Sequence, residues 1–179
     1  MIGDFSVQPK QSNNNAKIVM WVFFGISAVL FGVSAAIPVY KGAVGTAGLI
    51  SLVTAILMYT KYLSVTFYYD VLVAGLDEPL FVVRQLVGKR EVTLARVALA
   101  DIVDIKRETK EERRAHKRSN TTALYIYAPT LSPEVSYRML VRSYSERSEI
   151  ILEGSDEFFE KLKELSREAR AMRTEEDEY

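Results

Sequence analysis

The segment Ile18–Tyr40, IVMWVFFGISAVLFGVSAAIPVY, is a run of 23 residues without a charged side chain. A helix of that length extends about 34 Å, which is enough to cross a hydrocarbon core of about 30 Å. A second uncharged run of 19 residues, GAVGTAGLISLVTAILMYT, covers Gly42–Thr60. Because only Lys41 separates the two runs, we predict a tight antiparallel transmembrane hairpin.

Other interpretations of this region fit less well. The first run is longer than the apolar part of a signal peptide, which has about 7–15 residues. Neither run has the charged face of an amphipathic surface helix. Both runs also lack Asp, Glu, His and Arg, the residues from which proton relays and ion pathways are built. We therefore predict a membrane anchor rather than a transporter, with the lipid bilayer as an integral partner.

Small residues recur every four positions in both runs, and such spacing places them on one helix face. Small side chains let two helix backbones approach closely in a membrane. One hypothesis is that the two stripes face each other within the hairpin, and the alternative is that one stripe forms a homodimer. The residues concerned are Ala28, Gly32 and Ala36 in the first run and Ala43, Ala47, Ser51 and Ala55 in the second.

Charge is unevenly distributed along the chain. The 179 residues include 23 basic and 23 acidic side chains, 49% hydrophobic residues and no cysteine. The composition excludes a disulfide scaffold, a thiol nucleophile and a strongly basic nucleic-acid binder. Lysines precede and follow the hairpin, at Lys10, Lys17 and Lys61, whereas Lys41 alone occupies its turn. Positive-inside counting therefore places both termini in the cytoplasm.

The remaining chain alternates short apolar runs with turn signals, which indicates β-strands. We predict a seven-stranded antiparallel meander, closed or nearly closed, followed by a helix that begins after Ser155. Ser155 is the predicted N-cap of this helix, and its apolar stripe comprises Phe158, Phe159, Leu162, Leu165, Ala169 and Met172. The predicted strands are 64–74, 80–87, 91–94, 101–108, 121–128, 136–143 and 148–153. The predicted organisation is a polar N-terminal tail (1–17), the hairpin (18–61), a compact domain (62–173) and an acidic tail (174–179).

Seven antiparallel strands with one C-terminal helix is the order of a pleckstrin-homology (PH) fold. The chain resembles the bacterial PH-like domains carried on small two-span membrane proteins, over the hairpin and nearly all of 62–173. The stretches that carry the resemblance are GKREV (Gly88–Val92), RVALADI (Arg96–Ile102) and SDEF (Ser155–Phe158). The resemblance implies an α+β protein with a PH-like barrel in a bacterial plasma membrane. It does not imply inositol-phosphate binding, because the loop Gly75–Pro79 has two acidic residues and no basic one.

The segment Lys106–Arg118, KRETKEERRAHKR, has seven basic and three acidic residues. One interpretation is an electrostatic contact with anionic lipid headgroups or an acidic partner, since basic groups near an anionic surface are each worth about 1 kcal/mol. The other is a solvated, partly helical loop whose opposite charges pair. The contact residues of the first interpretation are Lys106, Arg107, Arg113, Arg114, Lys117 and Arg118.

No catalytic, cofactor or metal motif is apparent. His116 is the single histidine, and one imidazole without cysteine is not a zinc site. Asp101 and Asp104 are three apart in a predicted strand, so they face opposite sides. We therefore expect a non-enzymatic, membrane-tethered PH-like module that binds another protein, and the alternative is a structural or accessory subunit assembled through the hairpin.

Overall fold

A computed structural model of the chain describes residues 5–10, 14–37, 39, 41–73, 78–116, 123–143 and 146–177, with side chains as far as residue 174. The chain divides into two compact units. One comprises Met1–Gln11 with Thr66–Tyr179, and the other comprises Ser12–Val65.

The smaller unit is a helical hairpin. Helix α1 spans Asn14–Ala36 and α2 spans Lys41–Met58, and a π-helical turn, Tyr59–Leu63, continues α2. Both helices are long and apolar enough to cross a membrane, and in their most apolar windows only 11% and 17% of the residues are buried. Large apolar side chains such as Trp21 and Leu57 are exposed. Exposure of this extent is typical of a surface covered by lipid or by another chain.

Serine hydroxyls join the two helices. Ser27 Oγ donates to the Gly48 carbonyl at 2.9 Å, and Ser51 Oγ donates in the opposite direction to the Phe23 carbonyl at 2.8 Å. Ser34 Oγ donates to the Lys41 carbonyl at 2.9 Å. Each hydroxyl thereby satisfies its donor within the hairpin, where water would be absent in a bilayer.

The predicted helix contact is therefore corrected in part. Ser51 and Ala55 are buried as an α2 contact would require, whereas Ala47 is exposed. On α1 the exposed residues include Ala28, Gly32 and Ala36, and Ser27 and Ser34 are buried instead. The buried face of α1 therefore differs from the predicted one, and it carries two serines whose hydroxyls donate hydrogen bonds to α2. That one stripe forms a homodimer stays a prediction.

The first sheet of the larger unit has the strand order β1-β2-β3-β4. Its strands are β1 (Phe5–Val7), β2 (Val65–Leu72), β3 (Leu80–Val87) and β4 (Arg90–Ala98). Strand β1 pairs antiparallel with β2, with Phe5 opposite Val71. The composition of the N-terminal segment predicted a polar tail and did not reveal this strand, because three residues carry too little alternation to be recognised.

The second sheet has the order β5-β7-β8-β6. A 3₁₀ turn (Leu99–Asp101) leads into β5 (Ile102–Thr109), and a short helix α3 (Lys110–Ala115) follows it. The remaining strands are β6 (Ala123–Ile126), β7 (Val135–Ser143) and β8 (Glu146–Leu152). Strand β6 pairs parallel with β8, whereas β7 pairs antiparallel with both β5 and β8.

The predicted seven-stranded antiparallel PH-like barrel is therefore wrong in its architecture, since the described residues form two four-stranded sheets. The predicted strand positions lie close to the observed ones, and the sequential pairs β2-β3, β3-β4 and β7-β8 are those of a meander. The pairs β5-β7 and β6-β8 are not. Alternation in a sequence specifies which face a residue occupies, and it does not specify which strand lies alongside. The chain between β6 and β8 contains β7, which makes the connection long enough for a parallel pair.

Helix α4 (Asp156–Asp177) covers the core of the larger unit. Its predicted N-cap is confirmed, because the Phe158 amide donates to Ser155 Oγ at 3.3 Å. Most of the predicted apolar stripe is buried, whereas Met172 is exposed. The buried stripe residues are Phe158, Phe159, Leu162, Leu165 and Ala169. A Cβ at Gly154 would lie 3.0 Å from the Phe159 ring, so glycine allows the ring to pack against the backbone.

Replacing Gly48 with leucine is expected to destabilise the hairpin by about 1–3 kcal/mol, because a larger side chain overpacks a close helix contact. A Cβ at this position would already lie 3.3 Å from Leu30 Cβ and 3.5 Å from the Phe31 ring. Thermal unfolding of the full chain in detergent micelles measures the effect. Gly32→Leu is the matched control, since nothing lies within 4 Å of a Cβ there. Equal unfolding temperatures for the two variants would contradict the observed helix contact.

Candidate functional site

Among the described residues, strand β5 is an edge strand, because it ends the order of the second sheet. The Ile105 amide donates to the Asp104 carboxylate at 2.9 Å, and the Ile105 carbonyl accepts from Lys163 Nζ at 3.4 Å. These groups therefore point away from β7 and toward the open edge. Backbone directions alternate along an antiparallel strand, so the amide and carbonyl of Arg107 point the same way. Main-chain groups of this kind are a template for pairing with another extended chain.

A cleft of about 490 Å³ runs between β5 and the first turns of α4. Tyr137 and Phe159 form its aromatic part and stack with ring centroids 3.8 Å apart. Three basic and three acidic side chains line it: Lys106, Arg107, Lys163, Asp104, Asp156 and Glu160. This mixture of charge gives the cleft no strong preference for an anion or a cation.

Two ion pairs cross the cleft. Arg107 Nε lies 3.2 Å from Asp156 Oδ1, and Lys163 Nζ lies 3.9 Å from Asp104 Oδ1. The Tyr137 hydroxyl also donates to Asp156. The side chains of Arg107, Asp104 and Asp156 are each more than half exposed. Exposed pairs contribute about 0–1 kcal/mol each, so a ligand can displace them at little cost.

A buried charge cluster lies on the face of the second sheet opposite the core. Arg138 on β7 donates through Nε to Glu108 Oε1 at 2.8 Å and through a second nitrogen to Glu149. Glu108 is 3%, Glu149 5% and Arg138 9% exposed. Burial lowers the pKa of Arg138, but the hydrogen bonds that it donates to the two carboxylates outweigh that effect and raise its pKa above the usual value. The cluster holds three neighbouring strands in register.

Sequence reasoning missed this cluster. Arg138 alternates with the apolar residues Tyr137 and Met139, and alternation of this kind predicts a solvent-facing position. The signal that was present is the opposite charge of residues on three successive strands of one sheet. This charge pattern can be recognised only once β5, β7 and β8 are known to be neighbours.

The predicted basic segment is part strand and part helix. Thr109 and Glu112 form a reciprocal capping box at the start of α3, and the hydrogen bond from the Thr109 amide lowers the pKa of Glu112. Arg113 donates to Ser136 Oγ at 2.7 Å and to the Pro133 carbonyl at 2.9 Å. This arginine therefore attaches α3 to the chain that enters β7.

The four predicted contact residues that the structure describes are not brought together on one surface. Lys106 and Arg107 line the cleft, Arg113 is held at β7, and Arg114 is exposed on α3. Lys117 and Arg118 lie outside the described residues, as does most of the loop Gly75–Pro79. Whether the basic segment binds anionic lipid or an acidic partner stays a prediction.

His116 follows α3, and its ring faces the buried cluster. Nδ1 lies 3.8 Å from Glu108 Oε1 and Nε2 lies 3.9 Å from Glu149 Oε1, both longer than a hydrogen bond. Among the described residues, no group of three or more His, Cys, Asp or Glu side chains has the arrangement of a metal site.

Comparison with known proteins does not extend this description, since no protein-family model, curated protein or solved structure matches the chain. The PH-like resemblance therefore stays a prediction.

Arg138→Met is expected to destabilise the chain by about 3–5 kcal/mol at pH 7, because two buried carboxylates lose their shared cation. Denaturant unfolding of the full chain in detergent measures the effect.

Two controls accompany this variant. Arg142→Met changes an exposed arginine on the same strand and should shift stability by less than about 0.5 kcal/mol. The triple variant E108Q/R138M/E149Q removes all three charges and should recover most of the loss. A loss in the triple variant as large as in R138M alone would contradict an electrostatic cause.

Proposed function

We propose that the chain is a membrane-tethered, non-enzymatic protein-interaction module that binds an extended segment of a partner protein along β5. The observation that carries the proposal is the open edge of β5, with outward main-chain groups beside an aromatic-lined cleft. Extended segments add to such edges through main-chain hydrogen bonds, while neighbouring pockets read alternate side chains. A partner strand would occupy the cleft.

The side chains at the edge favour a reversible contact. Asp104 and Lys163 bind the main-chain groups of Ile105, and both side chains are at least partly exposed. Charged side chains and a bulge are common devices that keep a free edge from pairing indiscriminately, and the β5–β7 register shifts between Ile102 and Asp104. A specific partner would displace these side chains, whereas a weakly bound strand would not.

The hairpin supplies the tether in this proposal. Two helices long and apolar enough to span a bilayer would hold the module at the membrane surface. Confinement raises the effective concentration of a partner in the same membrane, so a modest strand-edge affinity suffices. The proposed location is the bacterial plasma membrane that the family resemblance implies. The lysines that flank the hairpin favour both termini in the cytoplasm.

A second candidate function is that of an accessory subunit assembled through the hairpin. It is favoured by the exposed small residues Ala28, Gly32 and Ala36 on α1. A face of small residues that makes no contact within the hairpin is suited to close packing against a further transmembrane helix. The further helix would belong to another subunit or to a second copy of this chain.

Arg107→Pro tests the strand-edge proposal. Proline removes the outward amide of β5 and leaves the hydrogen bonds to β7 in place, which is the arrangement in which edge strands tolerate proline. Crosslinked pull-down from membranes with the full chain should lose at least about 90% of the captured partner, as expected when a main-chain anchor is removed. Arg107→Ala is the control, because it breaks the same ion pair with Asp156 and retains the amide.

Lys163→Ala provides an independent measurement if the proline variant unfolds below the assay temperature. It removes the side chain that covers the Ile105 carbonyl and should increase capture of the same partner. Equal capture by the wild type, Arg107→Pro and Lys163→Ala would refute the strand-edge proposal.

Gly32→Leu separates the two candidate functions. The substitution enlarges the exposed stripe without touching the hairpin contact, since nothing lies within 4 Å of a Cβ at this position. The interaction module should retain its partners in this variant, whereas an accessory subunit should lose them. Val33→Leu, an exposed neighbour on a different face of α1, controls for added bulk alone.

A further inference from the structure

The two-residue turn of the β3–β4 hairpin is flanked by exposed aliphatic side chains. Gly88 adopts φ +62°, a left-handed conformation that favours glycine, and Lys89 completes the turn. On either side of the turn, Val87 is 43% and Val92 47% exposed. Two aliphatic side chains so close to a charged turn are suited to a boundary between apolar and polar surroundings.

We define the hairpin tip as Val87–Val92. The strand register places its basic residue Arg90 and its acidic residue Glu91 on opposite faces. Val87 lies opposite Arg90, and Gln85 lies opposite Val92. Because opposed residues share a face and neighbours alternate, Val87, Arg90 and Val92 lie on one face. Leu86 and Glu91 lie opposite each other on the other face.

The acidic residue of the tip is neutralised by a partner. Arg84 Nη1 lies 2.6 Å from Glu91 Oε1, and the same guanidinium also binds the buried Asp70. The hydrogen bonds to these two carboxylates raise the pKa of Arg84 well above its usual value. Lys89 and Arg90 have no ion pair among the described residues, so the tip presents two uncompensated positive charges beside its two valines.

The fold places this tip at a particular end of the first sheet. Strands β2 and β3 are neighbours joined by residues 73–79, a connection too short for a parallel crossover. They are therefore antiparallel, and the end of β3 lies at the same end of the sheet as the beginning of β2. Strand β2 begins at Val65, with only Ser64 between it and the π-helical turn that continues α2.

We propose that the hairpin tip Val87–Val92 docks on an anionic lipid surface. The inference rests on the proposed membrane tether, because β2 can begin at the surface only if α2 spans the bilayer. The valines would enter the interfacial region and the two basic side chains would meet lipid phosphates, an arrangement that combines apolar burial with headgroup attraction. The larger unit would then be held at the membrane both by the tip and by its covalent link to the helical hairpin at Ser64.

Site-specific labelling tests the proposal with the full chain, because the sequence contains no cysteine. Val92→Cys carries an environment-sensitive fluorophore in vesicles containing about 30% phosphatidylglycerol, in which a fraction of the lipids bears a nitroxide at the headgroup. The matched control is Arg96→Cys, an exposed position on the same strand and roughly 10 Å farther from the turn. Carbonate extraction of the same vesicles establishes whether the hairpin is inserted.

The expected result is quenching at position 92 at least about twofold greater than at position 96, since nitroxide quenching requires close approach to the headgroups. The substitution pair K89E/R90E should reduce this difference in anionic vesicles, because it reverses the attraction. Inserted chain with equal quenching at both positions, or with quenching unaffected by K89E/R90E, would overturn the docking of the tip alone. Failure of the chain to insert would overturn the membrane tether and the docking together.

Discussion

The larger unit depends on an aromatic cluster at the start of α4. The Phe158 ring lies edge-on to Phe5 of β1 at 5.5 Å and also contacts Tyr69 of β2, while Phe159 stacks on Tyr137 of β7. Two adjacent residues of one helix therefore contact both sheets. The Tyr69 hydroxyl adds a link by donating to the Tyr127 carbonyl at 2.8 Å. Buried aromatic side chains contribute large apolar areas, so this cluster is the main constraint on the arrangement of the sheets.

The same cluster shapes the candidate site. Because Phe159 packs on Tyr137, the first turns of α4 lie beside β5 without pairing with it, and the space between them is the cleft. The Ser155 cap fixes where the helix begins, and the glycine at 154 lets the Phe159 ring approach the backbone. The open edge of β5 is thus a consequence of how the helix is anchored.

The two faces of the second sheet are stabilised by different interactions. The inner face is apolar and packs on α4, whereas the outer face holds Arg138 between Glu108 and Glu149. Paired buried charges contribute little net stability compared with apolar residues, but an error in strand pairing would leave them uncompensated. We infer that the cluster specifies the β5-β7-β8 register more than it adds to the free energy of unfolding. In the helical hairpin, the serine hydroxyls contribute to the specificity of the contact in a comparable way.

The sequence by itself determined the features that depend on local pattern. The two uncharged runs predicted two long apolar helices, and alternation with turn signals predicted the approximate positions of seven strands. The cap residue Ser155 and the following apolar stripe predicted the C-terminal helix, because capping and helical periodicity are local properties. Only the tertiary structure decided which strands lie alongside one another, including the strand at Phe5–Val7 and the parallel pair of β6 with β8. It also decided which helix face is buried and that Arg138 is buried, because these outcomes depend on contacts between residues far apart in the chain.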